Sequence, residues 1–165
     1  MDRTFRDIPI FSSLDESEIS DVMKITREKR FTQGDVIMRE GDDGDTMYLV
    51  LEGELEVSKT LTMKFEEDDY REGEKILTRY RPDDHAVFGE MALIGRYPRS
   101  ATISAMSDCR LLEINREDFM KLLEENPAVG ARVLIKISES LIARLRQSSR
   151  DITRLSTALS VALGK

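Results

Sequence analysis

The chain has 165 residues, with 25 Lys and Arg against 32 Asp and Glu, and a formal net charge of −7 at pH 7. This length is enough for one well-buried domain, or for a domain of about 120 residues with an appendage, and two independent cores are not expected. A net negative charge gives no broad attraction to nucleic acid or anionic lipid. We therefore predict neither a nucleic-acid nor a membrane partner, and any bound anion must be held by local groups.

Cysteine content and the N-terminal sequence favour a cytoplasmic protein. Cys109 is the only cysteine, which excludes an intrachain disulfide and predicts a reduced thiol in the core. The opening residues, MDRTFRDIPIF, contain no apolar segment typical of a signal peptide. No run approaches the roughly 20 apolar residues needed to cross a bilayer. We expect an unexported, cytoplasmic protein.

The first predicted element is a short amphipathic helix within FSSLDESEISDVMKI, residues 11–25. Ser13 precedes Glu16 by three residues, which is the spacing of a capping box. Apolar residues then recur at near-helical intervals. These residues are Ile19, Val22, Met23 and Ile25.

From about Phe31 the pattern changes to short alternating apolar runs separated by Gly, Asp and Pro. The runs are DVIMRE, TMYLVLEGELEVS, KILTRY, SATISAM and CRLLEIN. Many short strands with frequent turns predict a sandwich, roll or barrel. After REDFMKLLEENP, helical periodicity persists from about Ala128 to Leu163, and Gly164 is the predicted stop.

The predicted fold class is therefore mainly β with flanking helices, in a single domain. An N-terminal helical segment occupies residues 1–30, a β-roll occupies residues 31–118, and C-terminal helices occupy residues 119–165. No second domain is predicted.

Three segments invite functional interpretations that their residues do not support. GDDGD, residues 41–45, lacks the spaced oxygen ligands of an EF-hand loop, so a tight turn is favoured over a metal site. His85 is the only histidine, so a metal site built from several histidines is excluded. A Ser-His-Asp triad would have to use His85, and the sequence has no G-x-S-x-G motif to support one. We predict no metal and no enzyme activity.

FEEDDYREGE, residues 65–74, is interpreted as a solvated hairpin tip or mobile loop, with a partner-binding role left open.

FGEMALIGRYPRSAT, residues 88–102, places two opposite charges among small and apolar residues. The guanidinium of Arg99 offers a planar fork of donors suited to a phosphate, and an ionised Glu90 accepts hydrogen bonds from a sugar hydroxyl. Gly89 permits a close approach of the backbone to a ligand. Small side chains at Ala92 and Ala101 keep a cavity open. The alternative is a surface ion pair on a loop, worth about 0 to 1 kcal/mol.

The full order of these residues resembles the phosphate-binding cassette of the cyclic nucleotide-binding domain family, F-G-E-[LM]-A-L followed by P-R-[AST]-A-T. A second family element, E-G-D-x-G-D-x-M-Y-x-V-x-x-G, matches EGDDGDTMYLVLEG at residues 40–53. The resemblance covers roughly residues 10–160 and includes the catabolite activator and protein kinase A regulatory subunit types. It implies a jelly-roll-like β-roll with a short N-terminal helix and a long C-terminal helix.

The resemblance also implies ligand-binding roles. Arg99 binds the cyclic phosphate, Glu90 binds the ribose 2′-hydroxyl, and Ser100 adds a contact to phosphate or base. Backbone groups at Gly89, Met91 and Ala92 complete the cassette. The order Arg99-Ser100-Ala101 matches the R-S-A of catabolite-activator-type cAMP binders, so cAMP is favoured over cGMP. Two departures concern loop geometry: the hairpin at 58–80 looks long, and PDDHAVFGE replaces a compact approach to the cassette.

The expected function is a stand-alone cyclic nucleotide sensor that moves its C-terminal helices on binding. Only about forty residues follow the roll, so the output is expected through a homodimer or a separate effector protein. The alternative is a ligand-free interaction module with the same fold, which the intact Glu90 and Arg99 argue against. No catalytic set supports an enzyme of the jelly-roll type.

The C-terminal helix carries a seam with alternating steps of four and three residues, which predicts a parallel two-helix dimer. The seam consists of Leu134, Ser138, Leu141, Leu145, Ser148, Ile152, Leu155, Leu159 and Ala162. The alternative is a single helix packing this stripe on its own β-roll. RLRQSSRDITRL, residues 144–155, also resembles the catabolite-activator dimer helix, which implies that Ser148 and Ser149 cap the base. Serines that bond to their own helix carbonyls are the alternative.

Overall fold

The computed structural model describes residues 8–64 and 70–164. Two four-stranded antiparallel sheets face each other, and helices cover the outer face of the first sheet. Short 3₁₀ turns lie at Pro9–Phe11 and Pro82–Asp84. In chain order the other elements are α1 (Glu16–Lys24), β1 (Thr26–Phe31), β2 (Val36–Met38), β3 (Thr46–Glu52), β4 (Leu55–Lys64), β5 (Tyr70–Tyr80), β6 (Val87–Phe88), α2 (Glu90–Gly95), β7 (Thr102–Ala105), β8 (Cys109–Asn115), α3 (Arg116–Glu125) and α4 (Pro127–Ala162).

The strand order is β1-β8-β3-β6 in the first sheet and β2-β7-β4-β5 in the second. β3 is buried on both faces because it separates two hydrophobic cores. Its side chains alternate, as a pleated strand requires, with Met47 and Leu49 facing the helices and Tyr48 and Val50 facing the second sheet. This arrangement confirms the predicted β-roll with flanking helices.

The core under the helices joins the N-terminal turn to the C-terminal helices. Its fully buried side chains include Phe11, Ile19, Ile114, Phe119 and Val133. The second core fills the space between the sheets, where Leu55, Phe88, Ile103 and Leu111 pack together. α4 is thus fixed at its beginning to the same sheet that carries the cassette strand β6.

The N-terminal helix begins two residues later than its predicted capping box. Asp15, not Ser13, is the N-cap, and its side chain accepts hydrogen bonds from the backbone N–H groups of Ser17 and Glu18. The Glu18 carboxylate accepts from the backbone N–H of Asp15, which completes the box. The hydrogen bond from the Glu18 N–H lowers the pKa of Asp15. Leu14 is buried just before the cap, so the helix starts after this anchor.

The strands span residues 26–115, whereas the sequence predicted a roll over residues 31–118. β1 was missed because its residues, TREKRF, are charged and largely exposed, with no alternation of apolar residues. Its strand conformation comes from pairing with β8, from Thr26 opposite Ile114 to Phe31 opposite Cys109. Helix α3 begins directly after β8, with Asn115 as its N-cap.

The long hairpin predicted at residues 58–80 is formed by β4 and β5, which pair from Leu55 opposite Tyr80 to Lys64 opposite Tyr70. The predicted solvated tip at residues 65–74 is therefore partly wrong, because residues 70–74 belong to β5. Residues 65–69 lie outside the described residues. Pairing along the hairpin outweighs the high charge of this segment.

Helix α4 has two environments along its 36 residues. Up to Leu141 it packs on the core under the helices, with Val133 and Ile137 fully buried and Leu134 and Leu141 at the edge. Every residue from Leu145 to Gly164 is exposed. The predicted seam is thus divided: its beginning packs on its own roll, as the single-helix alternative proposed, and its remainder leaves the body of the protein.

Cys109 is buried between the sheets, and burial raises the pKa of its thiol. Within residues 8–64 and 70–164, no three His, Cys, Asp or Glu side chains are grouped so that they could hold a metal ion. In the same part of the chain, no helix combines the length and the apolar character that a membrane-spanning segment requires.

Candidate functional site

The junction between β6 and α2 brings the backbone close to two other segments. Gly89 caps α2 with a positive φ of 82°. A Cβ atom at this position would lie 2.6 Å from the carbonyl oxygen of Thr46 and 2.8 Å from Nη1 of Arg99. Glycine is required here for both conformation and space. Glu90 is consequently the first residue of α2, with its side chain turned into the protein.

Arg99 lies in the loop between α2 and β7 and is only 8% exposed. Its Nη1 donates to the carbonyl oxygen of Thr46 at 2.6 Å, and its Nη2 donates to the Thr46 hydroxyl oxygen at 2.7 Å. The backbone of Arg99 is also fixed, because its N–H donates to Asp42 O at 2.8 Å and its carbonyl accepts from the Gly41 N–H at 2.9 Å. Backbone and guanidinium are therefore both oriented by residues 41–46.

The GDDGD turn is part of this site as well as a connection between β2 and β3. Gly44 lies against the guanidinium, and a Cβ atom there would be 2.3 Å from Nε of Arg99. The sequence predicted a turn at these residues but assigned no site role to Gly44 or Thr46. The only signal was their place in the second family element at residues 40–53.

Glu90 is 5% exposed and forms an ion pair with the long C-terminal helix. Its Oε1 accepts from Nη1 of Arg144 at 2.8 Å, and Nη2 of Arg144 donates to the carbonyl oxygen of Val87. Oε2 of Glu90 is buried and has no hydrogen-bond partner among the described residues. A buried acceptor left unpaired costs about 1 to 3 kcal/mol, more for a charged group. This oxygen is therefore available as a hydrogen-bond acceptor.

One cavity brings the two charges together. It combines a polar side, formed by Arg99, Glu90 and Arg144, with an apolar wall. Its volume is about 70 Å³. Its lining consists of Met38, Val57, Tyr80, Phe88, Gly89, Glu90, Met91, Ala92, Pro98, Arg99, Ser100, Ala101, Ile103 and Arg144.

All seven cassette residues predicted from the sequence line this cavity, whereas Ser148 and Ser149 do not. Arg144 was missed as a site residue. It is the first residue of the segment at 144–155 that resembles a dimer helix, but the pattern gave no reason to connect it with Glu90.

Known proteins are similar in sequence and fold to the chain that builds this cavity. A family model described as the cyclic nucleotide-binding domain matches residues 28–126, which is more than half of the chain. The chain belongs to the cyclic nucleotide-binding domain family. The resemblance predicted from the cassette and from residues 40–53 is confirmed.

Members of this family with different overall architectures are similar to this cyclic nucleotide-binding domain. A cAMP-dependent protein kinase regulatory subunit from Hypocrea atroviridis is 33% identical over 117 residues, covering 71% of this chain and 22% of that protein. A cyclic nucleotide-binding domain from Methylobacillus flagellatus superposes with a TM-score of 0.77 at 25% identity, covering 90% and 82% of the two chains. The catabolite activator protein of Thermus thermophilus gives 0.73 at 28% identity, covering 90% and 63%.

This cyclic nucleotide-binding domain spans less than a third of the length of the kinase subunit and of two similar potassium-channel proteins. The matched region therefore does not assign to this chain the activities or partners of those whole proteins.

Two details of this cyclic nucleotide-binding domain differ from the simplest expectation. The backbone N–H of Ala92 donates to Gly89 O at 3.1 Å, so the helix uses this donor in the present arrangement. The hydroxyl of Ser149 donates to Leu145 O at 3.0 Å, which is the helix back-bonding named as the alternative to base capping. Ser148 is exposed one turn beyond Arg144.

Proposed function

We propose that this chain is a regulatory, non-enzymatic domain that binds a cyclic nucleotide, with cAMP favoured over cGMP. The β-roll and the flanking helices together form this single domain. The observation that carries this proposal is the pair of buried charges on one cavity. Arg99 is fixed by Thr46, and no donor in the described part of the chain reaches one carboxylate oxygen of Glu90. An anionic phosphate beside a hydroxyl is the ligand chemistry that complements this pair.

The donor count of Arg99 supports a phosphate role. A guanidinium has five N–H donors, of which Thr46 accepts two, and no other described residue accepts from the remaining three. Because Arg99 is nearly buried, a phosphate bound to it would be largely removed from water, where a charge-assisted hydrogen bond is strong. The unpartnered Oε2 of Glu90 would accept the hydrogen bond of a ribose hydroxyl.

Ser100 and Ala101 support cAMP as the preferred nucleotide. Ser100 is exposed at the cavity, next to the phosphate position, and its hydroxyl both donates and accepts hydrogen bonds. The similar kinase subunit is named for its dependence on cAMP. The Ser100 hydroxyl could serve either base, so the preference for cAMP rests on the order Arg99-Ser100-Ala101, which resembles the R-S-A of catabolite-activator-type cAMP binders, and on the name of that kinase subunit.

Arg144 supports a signalling role for α4. A cavity of about 70 Å³ is well below the roughly 300 to 1,000 Å³ typical of ligand sites, so nucleotide binding requires a rearrangement of its walls. Arg144 is the wall residue contributed by α4, and it holds the same carboxylate that a ribose would use. Ligand binding would therefore change the position of α4 to the extent that the two positions differ in affinity.

The exposed part of α4 supports a parallel homodimer. Leu145, Ile152, Leu155 and Leu159 are each at least 60% exposed and follow one another in heptad steps. A second copy of the same helix would bury this stripe as a coiled-coil seam. Within that dimer, Ser148 and Ser149 would cap the base of a bound nucleotide, one from each subunit. An effector protein would then respond to the position of the paired helices.

Replacing both Ser148 and Ser149 by alanine is expected to weaken cAMP binding by about 1 to 3 kcal/mol, because polar atoms of the base would lose their hydrogen-bond partners. The dimer should stay intact or become tighter, since a buried hydroxyl in the seam is removed. Binding is measured by titration and mass by light scattering. Ser138→Ala is the matched control, because Ser138 also bonds to its own helix at Leu134 O, at 2.8 Å. Unchanged affinity in the double variant, or a monomer at saturating cAMP, would contradict the base-capping arrangement.

The proposed function is tested by thermal unfolding of nucleotide-free protein. At a free ligand concentration of about 100 times Kd, binding adds roughly 2.7 kcal/mol to the free energy of unfolding, which raises Tm measurably. We expect a larger rise with cAMP than with cGMP at equal concentration. A larger rise with cGMP would overturn the base preference. No rise with either nucleotide at millimolar concentration would favour the ligand-free interaction module.

A further inference from the structure

Thr46 contacts the phosphate-binding arginine at two points. It is the first residue of β3, and its carbonyl and hydroxyl oxygens accept from two different nitrogens of Arg99, at 2.6 and 2.7 Å. Two acceptors on one residue fix the plane of a guanidinium, which a single hydrogen bond leaves free to rotate. Gly44 closes one side of the group, since even a methyl group there would overlap Nε.

The hydroxyl of Thr46 lies on the same face of β3 as Tyr48, since side chains two residues apart on a strand share a face. Arginine only donates hydrogen bonds, so the hydroxyl oxygen must accept from Arg99, and its proton is free to point elsewhere. Burial raises the pKa of Tyr48, while a hydrogen bond with Thr46 and the charge of Arg99 act in the opposite direction. The Tyr48 hydroxyl donates to Glu113 at 2.9 Å, and its ring stacks on Phe88 with centroids 5.3 Å apart. Phe88 lines the cavity, so Tyr48 joins the site of Arg99 to the cavity wall.

We infer that Thr46 is a positioning residue for ligand binding: its hydroxyl aims the guanidinium of Arg99 so that the free donors face one side of a bound phosphate. This inference rests on the proposed function. It goes beyond it by assigning a role in affinity and stereochemical recognition to a residue of β3 that does not itself line the cavity. The carbonyl of Thr46 is present in every variant, so only the hydroxyl contribution depends on the side chain.

Thr46→Val tests the inference, because valine keeps the branched shape of threonine and removes the hydroxyl. Thr46→Ser restores the hydroxyl with less volume. Because the guanidinium would lose one of its two orienting acceptors, Thr46→Val should lower cAMP affinity roughly tenfold. Thr46→Ser should bind with nearly the parent affinity. Thermal unfolding without ligand checks that both variants are folded.

A second measurement separates positioning from a merely structural effect. Two phosphorothioate diastereomers of cAMP each carry sulfur in place of one exocyclic phosphate oxygen, and sulfur is a poorer hydrogen-bond acceptor. An arginine aimed at one oxygen distinguishes the two compounds, so their affinities for the parent protein should differ. In Thr46→Val the ratio of the two affinities should move towards one, and in Thr46→Ser it should return to the parent value.

Three results would overturn the inference while leaving the proposed function intact. They are parent-like cAMP affinity in Thr46→Val, a weakened Thr46→Val with an unchanged diastereomer ratio, and a Thr46→Ser variant that behaves like Thr46→Val. A parent protein that binds no cAMP would overturn the proposed function itself, and the role of Thr46 with it.

Discussion

Replacing Arg99 by alanine is expected to weaken cAMP binding by about 2 to 5 kcal/mol, which corresponds to a loss of roughly 30- to 5,000-fold in affinity. Arg99 is only 8% exposed, so a phosphate bound beside it loses contact with water. In Arg99→Ala the phosphate would lose that water without gaining the positive charge that offsets the loss. The protein should remain folded, because both hydrophobic cores are independent of this side chain. Calorimetric titration measures the affinity, and circular dichroism checks the fold.

Arg96→Ala is the matched control for this experiment. Arg96 ends helix α2 three residues before Arg99, carries the same charge and is exposed. Its removal changes the net charge equally but takes no donor from the cavity lining. We expect the Arg96 variant to bind within a few-fold of the parent. An Arg99→Ala variant that binds as tightly as the parent would show that Arg99 does not hold the phosphate.

Replacing Arg144 by glutamine is expected to lower the free energy of unfolding by about 2 to 4 kcal/mol. Removing one member of a buried ion pair typically costs about 3 to 5 kcal/mol, and partial exposure of the pair reduces this figure. The Arg144 side chain is 40% exposed, but the side chain of Glu90 is only 6% exposed and would lose its ion-pair partner. The Val87 carbonyl would lose a donor as well. Urea unfolding at neutral pH measures the change.

Combining Glu90→Gln with Arg144→Gln separates the charge effect from simple loss of packing. Because no unpaired charge remains in the double variant, it should be more stable than Arg144→Gln alone. Arg146→Gln serves as the control, since Arg146 is an exposed arginine two residues further along α4. Equal stability of the Arg144 and Arg146 variants would contradict a structural link between α4 and Glu90.

The sequence was informative wherever local order and local chemistry coincide. The cassette at residues 88–102 predicted that Gly89, Glu90 and Arg99 lie at a cavity kept open by small side chains, and all three line one cavity. The alternation in TMYLVLE predicted β3, which is buried on both faces. In these segments the residues that lie close together in the structure are also close together in the sequence.

The partners of the two charges could not be predicted in the same way. Thr46 lies 53 residues before Arg99, and Arg144 lies 54 residues after Glu90. Neither pairing leaves a periodic trace, because each depends on where the sheet and α4 place the backbone. β1 was missed for a related reason: its charged residues adopt a strand only through pairing with β8.

The C-terminal helix shows how one pattern serves two environments. The heptad steps from Leu134 to Leu159 are continuous in the sequence, yet Leu141 contacts the core whereas Leu155 is 67% exposed. A heptad pattern predicts an apolar face on a helix but does not predict which surface packs against that face. The dimer proposed for the exposed part is therefore an inference from exposure combined with spacing.

The most direct measurement of the central claim is a calorimetric titration of nucleotide-free protein with cAMP, with 5′-AMP as the acyclic control. A cavity with one buried arginine and one carboxylate oxygen awaiting a donor predicts saturable binding of cAMP at one site per chain, and much weaker binding of 5′-AMP, whose phosphate carries an additional charge and lacks the ring to the ribose. Absence of heat with cAMP at millimolar concentration, or equal affinity for the two nucleotides, would contradict the assignment of this cavity as a cyclic nucleotide site.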